Sequence, residues 1–170
     1  MGVSWTIREA EPETDWRTGI WPIFQEVVRA GDTLVFPPDT DEQGAREFWL
    51  LPAPAKVFVA VHDTNGSIVG SSFVKPNQPG LGGHVANAAF MVAAAAASQG
   101  VGRALAEHAI DWARQANYSA MQFNFVVSTN TRAVALWKKL GFSIVGTIPQ
   151  AFQHQGLGWK VDVFVMHRFL

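Results

Sequence analysis

A strand-like run, His84–Val92, passes through Ala97-Ser98-Gln99-Gly100-Val101-Gly102-Arg103-Ala104-Leu105 into an amphipathic helix reaching about Gln115. On that helix Val101, Leu105, Ala109 and Trp112 recur at helical spacing. A buried strand feeding a helix through a glycine turn belongs to an α/β architecture. The turn also has chemistry of its own. Its glycines and small neighbours let main-chain N–H groups approach an anion, and the helix N-terminus adds its positive end. Four readings compete for it. A nucleotide P-loop needs Gly-Lys-Ser/Thr, whereas Gly102 is followed by Arg103-Ala104. A dinucleotide fingerprint needs Gly or Ala where Leu105 stands, and an acid near residue 122, where there is none. A coenzyme A pyrophosphate site and a plain strand–helix turn that binds nothing both stay open on this segment alone.

The flanking sequence fills in the rest of the sheet. Trp5-Thr6-Ile7-Arg8 alternates as a short strand. Residues 13–30 read as a helix with Ile20, Ile23, Phe24, Val27 and Val28 on one face. Pro22 places the start of its regular part, and Gly31-Asp32 stops it. Asp41 caps a second helix bearing Ala45, Phe48 and Trp49. Lys56–His62 and Ser67–Lys75 flank Asp63-Thr64-Asn65-Gly66, a hairpin signal. Residues 76–83 form a Pro/Gly loop. Ala120–Val127 is a strand, Thr131–Leu140 a helix and Phe142–Thr147 a strand. Lys160–Arg168 is a last strand after a Gly- and Gln-containing loop. The order βααβββαβαββ describes one mixed α/β sheet with helices on both faces.

Composition narrows the function. The 170 residues suit one domain with a full core. With 13 Lys+Arg against 14 Asp+Glu, the net charge is −1, so no general basic surface points to nucleic acid. The absence of cysteine excludes disulfides, thiolate metal sites and a cysteine nucleophile, and no metal site is expected. The run from Met1 to Arg8 lacks the basic start and apolar stretch of a signal peptide, and the apolar run from Ala86 to Ala97 is too short to cross a bilayer. A soluble cytoplasmic protein with no membrane partner is the expectation.

The segment Asn130-Thr131-Arg132-Ala133-Val134-Ala135-Leu136-Trp137-Lys138-Lys139-Leu140-Gly141-Phe142 resembles the Asn-x-x-Ala-x-x-Leu-Tyr-x-x-x-Gly-Phe signature of the GNAT superfamily of N-acetyltransferases. Joined to the glycine turn and the element order, the resemblance covers nearly the whole chain as one domain, 1–170. It implies a mixed, mostly antiparallel sheet flanked by helices, and acetyl-CoA as cosubstrate. It implies that the turn Gln99, Gly100, Val101, Gly102, Arg103 and Ala104 binds the coenzyme A pyrophosphate, with backbone N–H groups of Phe90 and Val92 holding the thioester end. Two positions depart from the family: Ala97 replaces an Arg or Gln, and Trp137 replaces the tyrosine that usually protonates the departing thiolate. An indole N–H is a poor proton donor. A thiol pKa of about 8.5 lets hydrogen bonds alone stabilise the thiolate.

Lys75–Gly80, His84–Phe90 and Phe123–Asn130 are similar to segments of the yeast proline-analogue acetyltransferases, which act on azetidine-2-carboxylate and related cyclic imino acids. That resemblance implies that Asn87 recognises the substrate carboxylate, helped by the main-chain N–H groups of Asn124 and Phe125. It implies that the Asn130 side chain lies at the coenzyme A sulfur and that the Phe90 N–H meets the acetyl carbonyl. Asn87 and Asn124 are also conspicuous in themselves, since an amide inside an apolar strand is disfavoured. Each is equally suited to satisfy a neighbouring strand's backbone, and Asn130 to cap a helix.

The attacking amine must lose a proton. His84 is the first candidate base, through water; His62, His108, His154 and His167 have weaker claims. Phe36, in its Pro-rich loop, is a candidate wall of the acceptor pocket, whereas Trp21 and Trp49 read as core. Arg103 and Lys138 are candidate phosphate contacts, and Gln150–Gly158 a candidate contact with substrate or a second subunit; homodimers are common in the family. Three functions follow: acetylation of a small amino or imino acid, as in detoxification of amino-acid analogues; acetylation of another primary amine such as a herbicide, polyamine or antibiotic; or a non-catalytic acetyl-CoA sensor, suggested by Trp137.

Overall fold

The computed structural model describes residues 4–170; Met1–Val3, part of the N-terminal run considered above, lie outside the described residues. The elements are β1 (Trp5–Glu9), α1 (Pro12–Asp15), a π-helical turn (Trp16–Ile20), α2 (Trp21–Ala30), α3 (Glu42–Trp49), β2 (Lys56–His62), β3 (Ile68–Pro76), β4 (Val85–Val92), α4 (Val101–Gln115), β5 (Ala120–Val127), α5 (Thr131–Lys139), β6 (Ser143–Gln153) and β7 (Lys160–Phe169). The strands form one seven-stranded sheet in the order β1-β2-β3-β4-β5-β7-β6. Among the described residues, only the β4–β5 pair is parallel.

Strand alternation sends successive side chains to opposite faces. Val57, Val59, Phe73 and Met91 meet the π-helical turn, α2 and α3 through Ile20, Phe24, Val28 and Trp49. Phe58, Val74, Ala86 and Met121 meet α4 and α5 through Ala106, Ala109, Ile110 and Trp137. Helices thus cover both faces, as expected. Trp49 is fully buried and its Nε1–H donates to Ser71 Oγ at 2.9 Å, which makes it core.

Two expectations need correction. The helix over 13–30 is three pieces, because Pro22 has no N–H to give to the carbonyl four residues back. Trp21 N–H instead bonds to the Trp16 carbonyl five residues back, and α2 becomes regular from there. The widened turn carries Gly19, where a Cβ would lie only 2.3 Å from Ile68 Cβ. Strand β6 does not stop at Thr147 but reaches Gln153. Pro149 sits in an irregularity between Ile148 and Phe152, where Gln150 has φ 50 and donates its N–H to Asp162 Oδ1 at 2.9 Å. An edge strand tolerates a proline at such a bulge. The loop expected between Thr147 and Lys160 therefore shrinks to residues 154–159.

The remaining turn chemistry is as the sequence dictates. Asp41 Oδ1 accepts from Gly44 N at 2.8 Å, capping α3. Gly31 ends α2 with φ 62. At Gly31 the chain also meets the β6–β7 loop: a Cβ there would lie 2.3 Å from Gln155 Cγ, and Gln155 N donates to the Gly31 carbonyl at 3.0 Å. That contact sets the α2–α3 loop beside the β6–β7 loop.

Candidate active site

The site begins where β4 and β5 part. They pair only at Val85/Ala120 and Ala86/Met121. Just past β4, Ala93 N donates to Val69 O at 2.9 Å, so alternation turns the N–H groups of Phe90 and Val92 the other way, toward β5. Beyond Ala86 no strand is there to receive them. They face a cleft of about 250 Å³ lined by Leu34, Phe90, Val92, Phe123, Asn130 and Trp137, among others. Strand divergence therefore creates donors whose natural partner is a carbonyl supplied from outside.

Asn87 marks the floor of this opening. Its Nδ2 donates to the Gln122 carbonyl at 2.9 Å, a side-chain rung just past the last backbone rung. Its Oδ1 has no partner among the described residues. On β5 the register with β7 shifts between Phe123 and Val126, so Asn124 and Phe125 lie in a bulge and both are exposed. A bulge leaves main-chain groups outside the ladder. The Asn124 side chain is tied on both sides: Oδ1 accepts from Gln122 Nε2 at 2.8 Å, and Nδ2 donates to Asn77 Oδ1 at 2.7 Å.

Asn130 stands at the other side of the cleft. Its Oδ1 accepts from Ala133 N at 3.2 Å, capping α5, and its Nδ2 keeps its donors free. Next to it, Trp137 is 7% exposed, with its ring 5.0 Å from Phe90 and 4.7 Å from Phe123. It is a buried apolar wall, and its indole N–H makes no hydrogen bond among the described residues. Tyr118 is no substitute acid: it packs on Trp112 at 6.2 Å, beyond the end of α4, and burial raises its pKa.

A groove of about 740 Å³ continues from this cleft past Val92 to the glycine turn. Gly100 begins α4 with φ 90, and no side chain caps the helix. Ala104 N reaches back to the Gly100 carbonyl at 3.0 Å, which leaves the N–H groups of Val101, Gly102 and Arg103 without helical partners. A Cβ at Gly102 would lie 3.6 Å from Val92 Cγ2, on the groove wall. This cradle fits a pyrophosphate. Gln99 Nε2 is held by the Ala95 carbonyl at 3.0 Å, and Arg103 is engaged by Glu107 at 2.8 Å. Glu26 of α2 accepts from Ala94 N at 2.9 Å and fixes the groove's near wall.

The third arm, about 550 Å³, is lined by Leu34, Phe36, Pro37, Phe125, Phe152 and Gln155 among others. Phe36 rests on Phe48 at 4.3 Å and on Phe24 at 5.6 Å, so it joins the core and walls the cleft together. No charged side chain lines this arm. His84 is not part of the site: it is exposed at the opposite end of β4, where its carbonyl accepts from Ser119 N. Six residues of strand separate it from Phe90, roughly 20 Å. Lys138 does not line the groove; Lys139 does.

Sequence reading missed several residues. Thr33 and Leu34 reach the cleft because Gly31 brings their loop in, which only the tertiary contact reveals. His154, in the sequence only a weaker base candidate, lies beside Asn130 and Asp32, its Nδ1 accepting from Leu157 N at 3.2 Å. Arg132 and Lys139 line the groove with Leu136. Their i, i+4, i+7 spacing puts all three on one face of α5, a signal that the sequence did carry. Among the described residues, no cluster of His, Asp and Glu fit to hold a metal ion is found, and no helix is long and apolar enough to cross a membrane.

Comparison with known proteins agrees with this geometry. Residues 15–142 match the profile of the Acetyltransferase (GNAT) family. A GCN5-related N-acetyltransferase structure from Kribbella flavida is 46% identical, with TM-score 0.90 over 98% of both chains. The yncA acetyltransferase structure from Salmonella typhimurium, solved with its cofactor acetyl-CoA, shares the fold at 23% identity and TM-score 0.81, over 98% of this chain and 94% of that one. The N-acetyltransferase aca1 of Schizosaccharomyces pombe is 32% identical over 114 residues, 67% of this chain and 54% of its own length. The match thus spans about half the length of that relative. A splayed β4–β5 pair, a glycine cradle at the start of α4 and a family profile over most of the sequence converge, and the chain belongs to the Acetyltransferase (GNAT) family.

Proposed function

We propose that this chain, as a single domain over residues 1–170, moves the acetyl group of acetyl-CoA directly to the amine of a small amino or imino acid of the azetidine-2-carboxylate or hydroxyproline type. The observation that carries the reading is the shape of the cleft. Donors at Phe90 and Val92 meet an acceptor arm that is largely apolar and carries no charge. A compact ring suits the walls of Phe36, Phe125 and Phe152, whereas a polyamine would find no carboxylate in that arm.

Each residue has a defined task in this account. The N–H groups of Val101, Gly102 and Arg103 hold the pyrophosphate. The Phe90 N–H donates to the acetyl carbonyl oxygen, and that bond strengthens as the oxygen gains charge. Asn130 keeps its cap on α5 and turns Nδ2 to the leaving sulfur, the donation that replaces a family tyrosine. The bulge N–H groups of Asn124 and Phe125, with the second Nδ2 proton of Asn87, receive the acceptor's carboxylate. Water in the cleft carries away the amine proton. Such an enzyme would act in the cytoplasm, neutralising amino-acid analogues.

Free-thiol release with Asn87→Ala tests the carboxylate assignment. A rise in KM for the imino acid with little change in kcat is expected. An unchanged KM would remove Asn87 from substrate recognition.

A further inference from the structure

The glycine cradle leaves the phosphate charge of its ligand unanswered by any free cation on its own helix. Arg103, the turn's only basic residue, is bound to Glu107 one turn along α4 at 2.8 Å. The opposite wall is different. Arg132, in the first turn of α5, crosses the mouth of the groove, and its Nη2 donates to Ser98 Oγ at 2.7 Å. Among the described residues, no carboxylate pairs with Arg132 or with Lys139, which lies on the same face two turns along. Ser98 itself holds a left-handed backbone, φ 65, at the residue that opens the turn.

We propose that Arg132 is the phosphate-reading residue of the coenzyme groove, exchanging its hydrogen bond to Ser98 for the phosphates of the bound coenzyme. The argument is one of exchange. A neutral hydroxyl is a weak partner for a guanidinium, and a phosphate oxygen is a strong and bidentate one. The bond to Ser98 holds the side chain over the groove, so little side-chain freedom remains to be lost on binding. Arg132 therefore separates coenzyme A from pantetheine, which shares the thiol arm and lacks the phosphates. This inference rests on coenzyme A being the ligand of the groove.

Calorimetric titration of wild type, Arg132→Ala, Arg132→Gln and Ser98→Ala with coenzyme A and with pantetheine tests it, with thermal melts to verify folding. The expected result is an affinity loss of about tenfold for coenzyme A in both Arg132 variants, with pantetheine binding unchanged. Wild-type affinity for coenzyme A should also fall more steeply with salt than that of Arg132→Gln. Ser98→Ala should change coenzyme A affinity far less than either Arg132 variant, because it loses the pre-positioning bond and the competing one together. Equal losses for both ligands, or no loss for either, would overturn the role of Arg132. Failure of the wild type to bind coenzyme A at all would instead remove the coenzyme reading beneath it.

Discussion

The side-chain oxygen of Asn130 accepts the Ala133 N–H at 3.2 Å, so one residue both starts α5 and stands on the wall of the cleft. Its two halves are separable by substitution. Asn130→Asp keeps the cap acceptor and loses the Nδ2 donors; Asn130→Ala loses both. The alanine variant should lose about 1 kcal/mol of stability, and the aspartate variant almost none. Both should lower kcat for acetyl transfer while leaving coenzyme binding nearly intact. Denaturation beside steady-state kinetics reads the two effects, and full activity in Asn130→Asp would show that the amide N–H has no part at the sulfur.

Trp137 offers a second separation, between wall and acid. Its ring packs on Phe90 and Phe123 and its N–H is unused. Trp137→Phe should therefore hold kcat within about threefold and leave the pH profile unmoved. Trp137→Ala should destabilise by about 3 kcal/mol through the cavity it opens. A large loss of kcat in the phenylalanine variant, with KM unchanged, would return a proton-donor role to the indole.

Acid stability should depend on Asp15. It is 4% exposed, receives both Arg8 nitrogens at 2.6 and 2.9 Å, and accepts from Glu11 N at 2.7 Å. The Arg8 hydrogen bonds hold its carboxyl below the usual carboxylate range, against the opposing effect of burial. A lowered folded-state pKa gives stability that is present above the unfolded value of 3.8 and is lost as pH falls through the folded value. Asp15→Asn should remove that acid limb and cost about 2 kcal/mol at neutral pH, measured by denaturant unfolding across pH.

A separate limb should come from His108. Its ring lies 4.5 Å from Phe58, its Nδ1 is buried without a partner, and burial lowers its pKa from 6.5 despite Asp111. The folded chain holds it neutral while the unfolded chain protonates. Stability should thus decline as pH falls below 6.5 and level off once the folded value is passed. His108→Leu should flatten melting temperature against pH in that window, where Asp15→Asn leaves the slope in place.

Local rules made much of this fold legible. Asn65-Gly66, Gly31, Asp41 and the strand and helix periods set turns, caps and faces, and all of them act within a few residues. The errors have a shared origin in tertiary geometry. Pro149 reads as a strand end until the β7 partner and Asp162 carry β6 across it. In the site, the glycine cradle and Asn130 are visible as motifs because each is one contiguous segment. The cleft donors are different: Phe90 and Val92 have free N–H groups only because β5 diverges, and no residue in β4 announces that. His84 lies outside the cleft for the same reason, since nearness along a strand says nothing about which end opens.

Free-thiol release from acetyl-CoA, followed with azetidine-2-carboxylate, cis-4-hydroxyproline, proline and a panel of primary amines and polyamines, tests the central reading most directly. The account predicts turnover on the cyclic imino acids, with kcat/KM above that of any polyamine and with the N-acetylated product identified by mass. Turnover confined to primary amines would contradict the acceptor class. Silence on every amine, with coenzyme A still bound, would contradict acetyl transfer itself and leave the cleft as an acetyl-CoA sensor.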